Sequence, residues 1–517
     1  MTYLLGIDIG TTGVRAILVD ETGRVAAGAT VGHPLHTPRP NWSEQDPEDW
    51  WRGTVDAIQA VLGKVGAGTG RQVIGVGLSG QMHSSVFLDR QDRVIRPALL
   101  WNDGRTSAQC RWITKRVGEA GLKRLVGNPA LEGFTAPKVI WLRDEEPERY
   151  RQLRTLLLPK DYIRFRLTGE KATEVSDAAG TLLFDVRRRQ WSRALLDRLG
   201  VSPDILPPAV ESTDVCGRVT PAVARRTGLK AGTPVVGGGA DNTCGAVGNG
   251  IVKEGRALAS IGTSGVVFAQ TDRVKIDPRM RVHTFCHSVP HRWYLMGVTL
   301  SAGNSFRWFR DALSPLEVQV ERISGIDAYT LLTEEAQMAP AGSEGLIFLP
   351  YLTGERTPHR DAAARGVLFG LSPRHSRAHV VRAVMEGITC AMNDSLGIIR
   401  GLGVGVEEVR ATGGGGRNAF WVQMQADVYD LPVVTVAATE GPAFGAALMA
   451  GVGAGVFGDL IDATDQFVKV IGATDPNPRH AARYRESCAL FQSLYPDLKA
   501  SFARAQAMVE RQAGETE

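Results

Sequence analysis

Ile9-Gly10-Thr11-Thr12-Gly13-Val14 returns in the second half of the chain as Ile261-Gly262-Thr263-Ser264-Gly265-Val266. Apolar runs enter and leave each copy: Leu4 to Ile9 and Val14 to Val19 around the first, Leu258 to Ile261 and Val266 to Phe268 around the second. Both read as β-hairpins, since glycine admits turn conformations that other residues resist. The copies lie too far apart for a solenoid, so the repeat predicts two related domains. Turns of Gly, Thr and Ser gather backbone N–H groups and hydroxyls into a concavity that suits a phosphate. Ordinary hairpin turns share this pattern; its repetition favours a polyphosphate held from two sides.

The chain has 517 residues, enough for two or three domains with substantial cores. Its 43% hydrophobic and 22% charged content is that of a soluble globular protein. A net charge of +4 over this length offers no concentrated basic footprint, which argues against nucleic acid as a partner. The six cysteines are widely scattered, and we read them as buried free thiols in a reducing compartment. Asp8 interrupts the first apolar stretch, which lacks a basic lead-in and therefore reads as a strand and not a signal peptide. The longest uncharged run, Gly441 to Gly458, is glycine-rich and too short to span a bilayer. A cytoplasmic protein without a membrane partner is expected.

Strand-like runs alternate with amphipathic helical ones throughout, the pattern of an α/β protein. A third strand is expected near Val25 to Ala29, and a helix starts at Asp46-Pro47, an N-cap followed by proline. The buried strand Val73 to Leu78 ends at Ser79-Gly80-Gln81-Met82-His83, and polar residues past a strand's carboxyl end are where open α/β sheets place ligand chemistry. In the second half, Trp293 to Val298 reads as a strand. Helices are expected over Ser301 to Ala312, Ser376 to Ile399, Ala419 to Tyr429 and the tail from Asn477 to Gly514. No low-complexity linker separates the halves, so a hinge should join them.

Three constellations can carry chemistry. Val235 to Gly239 drives an apolar strand into three glycines, and Ala240-Asp241-Asn242 then presents a carboxylate with little bulk around it, able to accept a proton from a hydroxyl. The same pattern also suits a turn or a helix cap. Asp8 sits two residues before the first turn, and such an acid is costly to bury without a cation. Mg2+ bridging phosphate oxygens would compensate it, and an acid capping its own turn is the alternative. Val409 to Asn418 is a strand that runs through Gly413-Gly414-Gly415-Gly416 into a helix, where bare backbone and a helix N-terminus favour a nucleotide.

Other patterns are set aside. Gly75-Val76-Gly77-Leu78-Ser79-Gly80 satisfies GxGxxG, but its glycines lie inside the strand, and no Walker-type GxxxxGK[ST] occurs. His283, His287 and His291 with Cys286 have a metal-like spacing, yet Pro290 and the β-prone Val282, Thr284 and Phe285 argue against one helical face, so structural histidines are expected.

Two hairpin turns, a glycine-framed Asp and a third glycine cluster, in this order, resemble the actin, Hsp70 and sugar-kinase superfamily. Gly133-Phe134-Thr135-Ala136-Pro137-Lys138-Val139-Ile140-Trp141 resembles the first signature of the FGGY carbohydrate kinases, and Gly370-Leu371 through His379 to Glu386-Gly387 resembles the second. Trp42 to Pro47, Gly80 to His83, Trp101 to Arg105, Leu158-Pro159-Lys160-Asp161-Tyr162 and Phe348 to Pro358 look like those of the xylulose-phosphorylating members. The resemblance covers roughly residues 3 to 460. It implies two RNase H-like domains around a central cleft: 1–250 with the sugar site and first phosphate loop, 251–460 with the second phosphate loop and the adenosine site, then a helical tail, 461–517.

By motif, the resemblance makes Asp241 the general base and has Met82, His83, Trp101, Asn102, Asp241 and Asn242 hold the sugar. Thr11, Thr12, Arg15, Gly262 and Thr263 would hold phosphates, Gly414, Gly415 and Asn418 would flank adenosine, and Asp8 would serve Mg2+ and thereby catalysis. The implied activity is ATP-dependent phosphorylation of D-xylulose at O5, giving D-xylulose 5-phosphate. The alternatives are another pentulose, polyol or aldonate such as ribulose, erythritol or gluconate, or an actin- or Hsp70-like ATPase. Kinases of this family are often homodimers. Two residues depart from the family pattern, Ala240 before the acid and Ser84 after Gln-Met-His, and both bear on pocket shape more than on the reaction.

Overall fold

The computed structural model describes residues 1–437 and 440–514; the last three residues expected in the tail lie outside the described residues. The fold is two-domain α/β. Its compact units are discontinuous in sequence: the first comprises Met1–Lys253, Gln270–Tyr294 and Ala437–Lys469, the second Glu254–Ala269, Leu295–Val436 and Val470–Glu517.

In the first unit, strand Tyr3–Ile9 pairs antiparallel with Gly13–Asp20, so that Asp8 faces Arg15. Val25–Gly32 adds outside Gly13–Asp20. On the other side, Val73–Gly80 runs parallel to Tyr3–Ile9 and sets Ser79 beside Asp8. A parallel neighbour needs a crossover. Helix Pro47–Val65 lies within it, with Asp46 accepting a hydrogen bond from the Glu48 N–H and Pro47 in the first turn, as the sequence predicts. Its buried Trp50, Trp51, Val55, Ile58 and Val61 pack with Leu5, Ile7 and Ile9 of the first strand.

The opposite face of this sheet is covered by helix Gly441–Gly453, which arrives from far along the chain and packs with Leu4, Ile17 and Val19. A Cβ on Gly6 would lie 2.0 Å from the Ala443 carbonyl oxygen, and one on Gly77 1.8 Å from that of Ala446. Glycine in these strands is thus required by the approach of another backbone.

The second unit repeats the plan. Gly255–Ile261 pairs antiparallel with Gly265–Thr271 and parallel with Val406–Gly413, which places Ile261 beside Gly413 as Ile9 is beside Gly80. Val433–Val436 and Val470–Thr474 extend the sheet. Helix Arg377–Gly401 carries a capping box in which Ser376 and His379 satisfy each other's backbone N–H groups. Helix Ala419–Tyr429 has its expected bounds.

Two expectations are corrected. The helix expected from Ser301 begins at Gly303, because the Gly303 and Asn304 N–H groups donate to the carbonyls of Gly262 and Thr263, at 2.8 and 3.0 Å. Not all cysteines are free: Cys390 and Cys488 form a disulfide, with Cα atoms 5.7 Å apart. They lie on Arg377–Gly401 and on the tail helix Pro478–Gly514, so their meeting depends on tertiary packing that no cysteine spacing reveals. Cys110, Cys216, Cys244 and Cys286 are free. No helix among the described residues is long and apolar enough to cross a membrane.

Candidate active site

The glycines before Asp241 let its strand fold against the end of Val73–Gly80. Gly238 has φ +74°, and a Cβ there would lie 2.0 Å from the Leu78 carbonyl oxygen; at Gly239 it would meet Ser288 Oγ at 2.4 Å. The short strand Gly239–Ala240 then pairs with Ser79 and Gly80, and Asp241 opens helix Asp241–Gly248. This brings Asp241 close to Asp8, whose carboxylate accepts from Ser79 Oγ at 2.8 Å. Burial pushes Asp8 up to about 6, with the Ser79 hydrogen bond opposing. Asp241 is pushed up to about 7 by burial and then by the like charge of Asp8, against the Asn242 N–H that donates to it at 2.7 Å. An acid titrating near 7 is suited to accept a proton at neutral pH.

Met82 and Asn242 meet beside this pair, Asn242 Nδ2 lying 3.4 Å from Met82 Sδ. His83 adopts a left-handed backbone, φ +68°. Its Nδ1 lies 2.6 Å from the Gly180 carbonyl oxygen, and since a carbonyl can only accept, Nδ1 carries the proton. The His83 carbonyl accepts from Thr135 Oγ1 at 2.9 Å and Lys138 Nζ at 3.0 Å, and the ring lies against Phe134 at 4.8 Å between centroids. The motif Gly133 to Trp141 thus acts as the support of this histidine. Burial lowers Lys138 to about 7.

The first turn is tied to the same region. The Trp101 indole donates to Thr11 Oγ1 at 2.9 Å, and Gln45 Nε2 donates to the Thr11 carbonyl at 2.7 Å. Gln45 Oε1 in turn accepts from the Trp50 indole and from Gln81 Nε2, at 3.0 and 3.1 Å. Asn102 and Thr12 are exposed, on neighbouring and central turn positions respectively. Arg15 is already engaged: Nε and Nη2 donate to Glu440 at 3.1 and 2.5 Å, and Nη1 to Thr30 Oγ1 at 3.2 Å.

In the second unit, Gly262, Thr263, Gly414, Gly415 and Asn418 line one cavity of about 470 Å³. Gly413, with φ +72°, turns the chain out of its strand, and a Cβ on it would lie 2.5 Å from the Ile261 carbonyl oxygen. Asn418 caps helix Ala419–Tyr429 by accepting from the Trp421 N–H at 3.1 Å. Part of the remaining wall carries no site signal in the sequence: Asn304, Arg307, Asp327, Tyr329, Thr330 and Thr333. Asp327 caps helix Ala328–Gln337, and that cap was the one local signal. Bare glycine backbone on one side and Tyr329 and Phe306 on the other suit a flat ring.

A wider depression of about 820 Å³ lies elsewhere on the first unit, near Glu48, Arg96 and Arg166. Its cations are committed: Arg166 pairs with Glu48, and Arg96 with Glu44 and Glu146. His283 and Cys286 sit on a strand, His283 Nδ1 is 3.2 Å from Asn128 Oδ1, and burial lowers His287 to about 3. Among the described residues no group of three or more His, Cys, Asp or Glu side chains is arranged to hold a metal.

Residues 3–248 match the N-terminal domain of the FGGY family of carbohydrate kinases, and 257–454 match its C-terminal domain. The chain belongs to this family. The FGGY kinase described here is 42% identical over 499 residues to the xylulose kinase of Bacillus subtilis, a match spanning 96% of this chain and 98% of the relative. It is 40% identical over 495 residues to that of Escherichia coli, covering 96% and 99%. Its fold matches the ligand-bound xylulose kinase from Lactobacillus acidophilus with a TM-score of 0.91 at 28% identity, over 98% of this chain and all of that one.

Proposed function

We propose that this FGGY kinase transfers the γ-phosphoryl group of ATP to the O5 hydroxyl of D-xylulose, giving D-xylulose 5-phosphate and ADP. The observation that carries the substrate is the likeness to xylulose kinases at about 40% identity over nearly the whole chain. Asp241, raised toward neutrality and next to Met82 and Asn242, supports the reaction type.

In this reading Asp241 accepts the O5 proton as that oxygen attacks the γ-phosphorus and ADP departs, an in-line transfer that needs positioning and charge stabilisation more than covalent help. Met82, His83, Trp101, Asn102 and Asn242 orient the sugar. His83 donates its Nδ1 proton to the Gly180 carbonyl, which fixes the orientation of the ring. Thr11, Thr12, Gly262 and Thr263 hold phosphates. Arg15 does so on exchanging Glu440 for a phosphate. The adenosine lies against Gly414, Gly415 and Asn418. Asp8, a half-buried acid with a raised pKa, fits a hard cation bound chiefly by oxygen. Mg2+ held there would neutralise charge on the phosphate oxygens. A cytoplasmic location and a homodimer complete the proposal.

A coupled ADP-release assay over a sugar panel tests it. Preference for D-xylulose is expected; preference for ribulose, erythritol or gluconate moves the enzyme to another substrate of the same class, and ATP turnover indifferent to any sugar overturns the kinase reading.

A further inference from the structure

Behind the Asp241 turn lies a buried ionic cluster that the chemistry above does not use. Lys160, Asp161, Arg164, Glu174 and Asp177 are all fully buried. Lys160 Nζ lies 2.7 Å from Asp161, 3.2 Å from Asp177 and 3.4 Å from Glu174, and Arg164 Nη2 lies 2.9 Å from Asp161. Lys160 and Asp161 belong to the Leu158–Tyr162 motif, which has no place in the reaction so far. Burial alone would depress Lys160, but the surrounding carboxylates outweigh it and hold the amine charged. Buried ion pairs add little net stability over an apolar core of the same volume, so the cluster calls for another reason to exist.

Its hydrogen bonds lead to the catalytic turn. Glu174 caps helix Val175–Ala179, accepting from the N–H groups of Ser176 and Asp177 at 2.7 and 2.8 Å and from Ser212 Oγ at 2.8 Å. It also accepts from Ser176 Oγ at 2.8 Å. Having given its single hydroxyl proton to Glu174, Ser176 can only accept from other groups. It accepts from the Ala240 N–H at 3.0 Å, and Thr243 Oγ1 approaches it at 3.3 Å. Arg164 Nη1 meanwhile donates to the Gly237 carbonyl at 2.9 Å. Both ends of the stretch Gly237–Ala240, which has no side chains of its own beyond one methyl, are thereby anchored to the cluster. This stretch sets where Asp241 stands.

We infer that Ser176, oriented by Glu174 and Lys160, is a positioning residue that fixes the Asp241 carboxylate for proton transfer. The inference rests on the reading of Asp241 as the base. Ångström-scale misplacement of a reacting group costs on the order of 100-fold in rate, so the anchor's effect should fall on kcat.

The experiment measures kcat, both KM values and melting temperature for Ser176→Ala, Asp241→Asn and the double variant, with Thr54→Val as a control. Thr54 has a buried hydroxyl on helix Pro47–Val65, bonded to the Trp50 carbonyl and remote from the turn. Ser176→Ala is expected to lower kcat by about 10- to 100-fold with both KM values within about threefold. On the Asp241→Asn background it should change the residual rate less than twofold, since its effect passes through Asp241. Thr54→Val should lower the melting temperature without that kcat loss. If Ser176→Ala fails to fold, Glu174→Gln serves in its place: whichever way its amide turns, one donor of Ser176 or Asp177 faces an N–H group, and the same selective kcat loss is expected. Wild-type kcat in the folded variant, or an equal loss on the Asp241→Asn background, overturns the inference. Full turnover by Asp241→Asn overturns the base assignment and this inference together, whereas loss in Asp241→Asn with a neutral Ser176→Ala overturns this inference alone.

Discussion

Asp8 and Ser260 occupy the same place in two hairpins, each two residues before the turn glycine and each beside a parallel strand, at Ser79 and Thr412 respectively. In the first unit that parallel strand runs on into Gln81-Met82-His83, whose positions all carry side chains. In the second it runs into Gly414–Gly416 and a helix capped by Asn418, so backbone replaces side chains. One scaffold is therefore specialised in opposite ways. A buried acid pair marks the first unit, and bare glycine backbone lining a cavity marks the second.

The comparison breaks most visibly at Asp241. Asp241→Ala should lower sugar phosphorylation by about 10²- to 10⁴-fold while ATP still binds, measured by ADP release and calorimetry. Next comes Asp8→Ser, which gives the first hairpin the residue of the second. Roughly 10- to 100-fold lower kcat and a raised Mg2+ requirement are expected, on the scale of one lost electrostatic stabiliser. This variant also has a sign in pH. The wild-type rate should fall as pH drops through about 7, because Asp241 must be ionised to accept a proton. Removing the neighbouring negative charge lets Asp241 ionise more readily, so the acid limb of kcat/KM should move to lower pH; an upward move would contradict the pairing.

Smaller effects should appear in the second unit. A Cβ at position 303 would lie 2.4 Å from the Gly262 carbonyl oxygen, so Gly303→Ala should raise the KM for ATP by about tenfold and leave that for the sugar unchanged. The reverse exchange, Ser260→Asp, should weaken ATP by only a few-fold, the size of a single like-charge contact of about 1 kcal/mol in a solvated site. If Ser260→Asp proved as damaging as Asp8→Ser, the two hairpins would not be specialised as described.

Much of this was legible because it is local. Hairpins, the Asp46 cap and helix Ala419–Tyr429 are written within a few residues each, through glycine turns, capping side chains and apolar period. The placement of Asp8, Asp241 and the Gly413–Gly416 turn at strand ends could be read because an acid or bare backbone there is unusual. What escaped was long-range. The Arg15–Glu440 pair, the Cys390–Cys488 bond and the Ser176–Ala240 contact join segments whose meeting depends on tertiary packing. Tyr329 and Thr333 look like any polar helix surface until the cavity in front of them is seen.

Helix Gly441–Gly453 has a consequence for biosynthesis. The strands of the first sheet have all been made once the ribosome passes Lys253, yet the face bearing Gly6, Gly75 and Gly77 is closed by carbonyls of Ala443, Ala450 and Ala446. Until then the nascent first unit carries an open furrow of bare backbone flanked by Leu4, Ile17 and Val19. Its completion is therefore among the last folding events, and a gene fragment cut at the apparent domain boundary encodes a half that lacks its own lid.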